Sequence, residues 1–186
     1  MGIGILGGRN TTTFNEVDFK PDDLGAYIRL GRQYSIMRTH ATWSLIKHFG
    51  NDDNWVNVDE KRYQGASFIV SLGADLMPKI PSSPIYGILG ADIGLEFLNL
   101  KYENPKASQE GELIHLPKKT IMGANIGINA GFAVEITPNF QIEFIGRIST
   151  SVLQKLKIID SDTGKTLNDN PKQNNLTGRI GFNFVF

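Results

Sequence analysis

Leu176-Thr177-Gly178-Arg179-Ile180-Gly181-Phe182-Asn183-Phe184-Val185-Phe186 is the stretch that decides the fold, and from Arg179 onward it alternates without interruption. Ile180, Phe182, Phe184 and Phe186 fall on one side, Arg179, Gly181, Asn183 and Val185 on the other. A period of two marks a β-strand whose two faces meet different surroundings. One of those faces is a row of phenylalanines, whereas the final residues of a soluble domain are usually polar and frayed.

The same alternation recurs upstream. A short first strand over Gly2–Arg9 is followed by strands over Leu24–Arg32, Ile36–Phe49, Tyr63–Met77 and Ile85–Tyr102. The sixth has the clearest pattern: Met122, Ala124, Ile126, Ile128, Ala130, Phe132, Val134 and Ile136 share one face, with Gly123, Asn125, Gly127, Asn129, Gly131, Ala133 and Glu135 opposite. A seventh sets Phe140, Ile142, Phe144, Ile148 and Val152 against Gln141, Glu143, Arg147, Ser149 and Ser151. The terminal stretch is the eighth. Long polar connections at Asn10–Asp23, Gly50–Arg62, Glu103–Lys119 and Asp160–Asn175 alternate with short ones at Gln33–Ser35, at the proline-rich Pro78–Pro84 and at Thr137–Asn139. Short links join antiparallel neighbours, and alternating short turns with long loops is the habit of transmembrane barrels.

Composition agrees. The 186 residues suit one domain, 1–186, and include 20 glycines, 11 phenylalanines and no cysteine. Without cysteine there are no disulfides and no thiolate metal sites. Net charge is zero, so no global field draws nucleic acid. No apolar run reaches the roughly 18 residues of a membrane-spanning helix, so a membrane protein here has to be a closed barrel. No basic segment followed by an apolar one opens the chain, which reads as a mature form with its signal peptide removed.

Alternation alone does not say which face is outside, since a soluble barrel turns its greasy face inward. The small face decides. It carries Gly, Ser, Asn and Ala with isolated charges, unlike a solvated exterior rich in Lys, Glu and Gln. The large face is almost free of charge, as lipid requires, because Arg or Lys at mid-bilayer costs about 2 to 4 kcal/mol. The expected lumen then collects Arg29, Arg38, His40, Asp75, Asp92, Glu96, Glu135, Glu143, Arg147 and Arg179. These read either as an ion path or as a plug of ion pairs, and so narrow a barrel favours the plug. Glu143, Arg147 and Arg179, on two adjacent strands, are expected to form one shared cluster. Tyr34, Phe140 and Phe186 at the turn end, and Phe49, Tyr63 and Tyr102 at the loop end, stand where aromatic girdles belong.

The architecture as a whole resembles the small eight-stranded outer-membrane barrels of Gram-negative bacteria: the OmpA transmembrane domain, OmpX and the outer-membrane β-barrel domains. Arg179, Gly181, Phe184 and Phe186 resemble the C-terminal assembly signal of such proteins. The resemblance implies an all-β, eight-stranded up-and-down transmembrane barrel with short periplasmic turns and four long extracellular loops. It also implies residence in the outer membrane, contact with lipid and lipopolysaccharide, and delivery by the barrel assembly machinery. Gly7-Gly8-Arg9-Asn10 and the Gly50-Asn51-Asp52-Asp53-Asn54 loop further resemble PorG-like barrels of type IX secretion, from which the chain departs later on.

No catalytic motif emerges. A lipid A deacylase of this size uses His and Ser two apart on one strand face, and the nearest approach is His40 and Thr42 with Ser44, which point to the lumen. His48 and His115 look isolated, without metal-ligand spacing. Asp160–Gly164 resembles a fragment of a calcium loop but lacks the later carboxylate. Gly2–Gly8 looks superficially like a dinucleotide loop, but no βαβ unit follows it. The expectation is a barrel without catalytic, cofactor or metal site, acting as a structural or interaction protein through its loops or as a subunit of a larger outer-membrane complex. A narrow channel or a lipid A-modifying enzyme is the alternative.

Overall fold

The computed structural model describes residues 1–14, 17–50, 56–58, 61–104, 114–159 and 166–184. Twelve strands are present: β1 Gly2–Phe14, β2 Val17–Phe19, β3 Asp22–Tyr34, β4 Met37–Phe49, β5 Val56–Val58, β6 Lys61–Leu76, β7 Ile85–Asn104, β8 Ile114–Thr137, β9 Phe140–Leu153, β10 Leu156–Ile159, β11 Thr166–Asp169 and β12 Lys172–Phe184. Eight of them form the wall in the order β12-β9-β8-β7-β6-β4-β3-β1. The β1–β12 pairing, from Gly2 opposite Asn183 to Thr13 opposite Lys172, closes the sheet on itself. All neighbours are antiparallel, and closure leaves no free edge in the wall.

The turn end is tight. Tyr34 pairs with Met37 across a two-residue link whose Ser35 takes a φ of 29°, and Thr137 pairs with Phe140 across Pro138 and Asn139. The third link, between β6 and β7, carries three prolines, which cannot donate to a ladder, and is tied by a bridge from Lys79 to Tyr86.

At the other end the expected long loops are largely extensions of the wall. β1 runs on to Phe14 and is met by β2, β5 folds back on β6, β7 and β8 extend to Asn104 and Ile114, and β10 pairs with β11 as a separate hairpin. Their inward side is polar, with Asn10, Thr12, Gln173 and Asn175 buried, so the hydrophobic alternation that reveals a strand is lost while the backbone ladder continues. The calcium-like stretch Asp160–Gly164 and most of the Gly50–Asn54 loop lie outside the described residues.

The apolar face is outside. Ile148, Leu72, Ile93, Ile128 and Leu45 are each more than 60% exposed, whereas Glu96, Glu143 and Asn129 are wholly buried. On β3 the outward residues Leu24, Ala26, Ile28 and Leu30 are bracketed by Asp22 and Arg32. Those ten steps span about 33 Å at roughly 3.3 Å per residue. With the tilt of about 40° that closure imposes, they rise about 25 Å, the height of a lipid-facing band. Phe132 stacks on Phe144 at 5.1 Å, and Phe140 packs against Phe182 and Phe184 at 6.3 and 5.4 Å. Tyr34 is exposed at the turn end, as a girdle residue would be. Tyr63 pairs with Tyr102 at the opposite end. Phe186 lies outside the described residues.

Candidate functional site

The interior of the barrel is where the polar chemistry collects, because every inward position of a closed sheet converges on one axis. Three layers can be followed from the turn end upward. In the lowest, Glu143 from β9 reaches across to Arg29 of β3 and Arg38 of β4: Arg29 Nη1 donates to Oε2 at 3.0 Å and Arg38 Nη1 donates to Oε1. Arg38 also donates through Nε and Nη2 to Asp75 Oδ2 at 3.1 and 2.6 Å. His40 Nε2 lies 3.2 Å from the same oxygen, and His40 Nδ1 lies 3.2 Å from Thr42 Oγ1.

In the middle layer Arg147 grips Asp92 with two donors, Nε at 3.0 Å and Nη2 at 2.5 Å, and also donates to Ser149 and Asn125. Asn129 adds a third hydrogen bond to Asp92 at 3.1 Å. Gly127 makes this possible, since a Cβ there would stand 2.5 to 2.6 Å from the guanidinium of Arg147. Gly4 likewise clears the ring of Tyr27, which would lie 2.7 Å from a Cβ.

The upper layer is a chain. His48 Nδ1 lies 2.6 Å from Asp23 Oδ1 and His48 Nε2 lies 2.9 Å from Ser67 Oγ. Ser67 donates to Glu96 Oε1 at 2.5 Å, Ser151 donates to Glu96 Oε2, and Asn125 donates to Ser151 at 2.7 Å. Buried apolar side chains form two further clusters, Leu6, Tyr27, Ile46 and Ile69 in one, and Met77, Ile88, Ala133 and Ile145 in the other, with Tyr86 packed against it.

Thus Arg29, Arg38, His40, Asp92, Glu96, Glu143, Arg147 and Arg179 all sit in the lumen, with Asp75 among them. They do not form the cluster expected from Glu143, Arg147 and Arg179. Glu143 engages Arg29 and Arg38, and Arg147 engages Asp92. Arg179 has no ion-pair partner among the described residues and lies against the ring of Tyr27, 5.6 Å from its centroid, with Arg29 at 5.5 Å. The reason is geometric. Adjacent positions such as Thr177 and Arg147 are set by register, but an eight-stranded lumen is so narrow that long side chains reach the far wall instead. A cation against an aromatic face retains part of the stabilisation that a carboxylate would give.

Glu135 is also placed differently. It stands at the turn-end rim, accepting from Tyr86 Oη at 2.6 Å and facing Lys79 Nζ at 3.3 Å. His48 is not isolated: Asp23, expected at the end of a long loop, belongs to β3 and reaches it. The signal was available: Asp23, Tyr27 and Arg29 share one parity on β3.

Asp23, His48 and Ser67 touch in the order carboxylate, imidazole, hydroxyl, the order of a serine hydrolase triad. The protonation pattern argues against that chemistry. Ser67 has one hydrogen and gives it to Glu96, so towards His48 it can only accept, whereas a nucleophile must pass its hydrogen to the imidazole. Ser67 is also buried, facing a filled lumen. No group of three or more potential metal ligands occurs among the described residues.

A closed antiparallel wall of eight strands, with an apolar band outside and a packed polar interior, leaves one architecture. The fold is that of the small outer-membrane β-barrels. Solved structures agree: Neisserial surface protein A superposes with a TM-score of 0.60 at 13% identity, covering 98% of this chain and 96% of that one. The translocator domain of autotransporter NalP from Neisseria meningitidis gives 0.53 at 10% identity over 100% and 88%. The outer membrane enzyme PagL gives 0.46 at 12% identity over 96% and 98%. No family model and no curated protein matches the sequence.

Proposed function

We propose that this chain is an integral protein of the bacterial outer membrane, without enzymatic activity, whose lumen is a plug and whose partners are met at its loop end. The observation that carries this reading is Glu143. It is fully buried, each of its oxygens is held by a different arginine, and one of those arginines also holds Asp75. Charges bound to one another across the lumen are unavailable to a passing ion, and separating them is costly. In this reading lipid and lipopolysaccharide cover the band and the assembly machinery reads Arg179, Gly181, Phe184 and Phe186. The wall extensions present a surface to a protein partner, either free or within a larger complex such as a type IX secretion apparatus of PorG-like type.

A second reading, an enzyme acting on lipid A, draws on the Asp23–His48–Ser67 contacts. One pair of measurements separates the readings. Reconstituted protein is expected to show no single-channel current, and lipid A from expressing cells is expected to keep its mass. Stepwise conductance would establish a channel, and a lipid A mass lowered by one acyl chain would establish the enzyme.

A further inference from the structure

The turn-end mouth of the lumen opens into a cavity of about 350 Å³ lined by Arg29, Arg32, Gln33, Arg38, Gln141 and Asn183. Arg29 and Arg38 are buried behind it, while Arg32, on the outward row of β3, reaches its rim and lays its guanidinium over the ring of Tyr34. The nearest carboxylates are already engaged, Glu143 by Arg29 and Arg38, and Asp75 by Arg38 and His40. Arg38 has committed Nε, Nη1 and Nη2 to these partners. Arg29 has not: Nη1 serves Glu143 and Nε lies 3.4 Å from Thr42 Oγ1, but Nη2 is buried without a hydrogen-bond partner. Asn183 Nδ2 and Gln141 Oε1 are also buried and unpartnered, and the two residues are directly opposed on β12 and β9. All three side chains are more than nine-tenths buried.

A buried donor without an acceptor is costly, more so when it is charged, so two free donors and a free acceptor around one cavity define the chemistry of a ligand. That ligand supplies anionic acceptor oxygens to Arg29 and Asn183. It supplies a hydroxyl, or tolerates a turned amide, at Gln141. We propose that the turn-end mouth is a binding site for a phosphate-type oxyanion, either free phosphate or the phosphate of a lipid headgroup. Guanidinium groups suit this geometry because their paired donors match phosphate oxygens, and the cavity leaves room for an organic substituent.

The test is calorimetric titration of the full chain, refolded in a phosphorus-free detergent, with inorganic phosphate at constant ionic strength against chloride. Saturable one-to-one binding is expected. Asn183→Ala removes a donor without touching any ion pair and should weaken it about tenfold, as loss of a hydrogen bond to a charged group does. If that variant fails to fold, Gln141→Ala, which removes the unpartnered acceptor without touching any ion pair, should also weaken binding, by at least several-fold. Displacement of phosphate by short-chain phosphatidylglycerol assigns the site to a headgroup, and binding without displacement assigns it to free phosphate. Heats indistinguishable from chloride, or full affinity in both variants, would overturn the proposal.

Discussion

Glu143→Gln is expected to destabilise the refolded barrel by about 3 kcal/mol or more, lowering its urea midpoint by roughly 1 M. The residue is fully buried and its carboxylate serves two arginines from two other strands. Neutralising it leaves Arg29 without its carboxylate and Arg38 with Asp75 alone, and an uncompensated buried charge is among the largest single-site penalties known. Asp22→Asn is the control. Its ion pair with Arg9 spans 3.4 Å, but the two side chains are 71% and 86% exposed, and exposed pairs contribute little. A pore would reverse the pattern, with Glu143→Gln leaving the midpoint near wild type and shifting ion selectivity. Urea titrations and bilayer recordings on both variants distinguish these outcomes.

The second large effect lies on the outer face. Ile128 is 62% exposed and stands midway along the outward row of β8 between Thr120 and Ile136. Ile128→Arg should cost about 2 to 4 kcal/mol in a bilayer, whereas Thr120→Arg near the loop end should cost no more than about 1 kcal/mol. The gradient with depth is the informative quantity. Equal penalties at the two positions, measured by reversible unfolding from vesicles, would mean that Ile128 does not meet the hydrocarbon core.

The wall was legible because lipid on one side and a crowded axis on the other impose a period of two over long stretches. Met122 to Ile136 could hardly be read otherwise. The wall extensions were not legible, because Thr11, Thr12 and Thr13 pair with Asn174, Gln173 and Lys172 through their backbones, with no apolar face to advertise it. The inward residues were legible by parity, but their partners were not. Parity says that Arg147 and Arg179 point inward, and only the stagger of the closed sheet decides that one meets Asp92 and the other Tyr27. The Asp23–His48–Ser67 contacts were hidden for a related reason: they join three strands whose residues are far apart in sequence.

Turning the small polar face inward and the large apolar face outward underlies every assignment of the lumen. Intermolecular nuclear Overhauser effects between detergent acyl chains and the refolded protein measure that orientation directly. Contacts are expected to Ile126, Ile128, Phe182 and Phe184, which face out, and none to Leu6, Ile46, Ile69 or Ile145, which are buried within. Detergent contacts confined to the second set, with the first set silent, would contradict it.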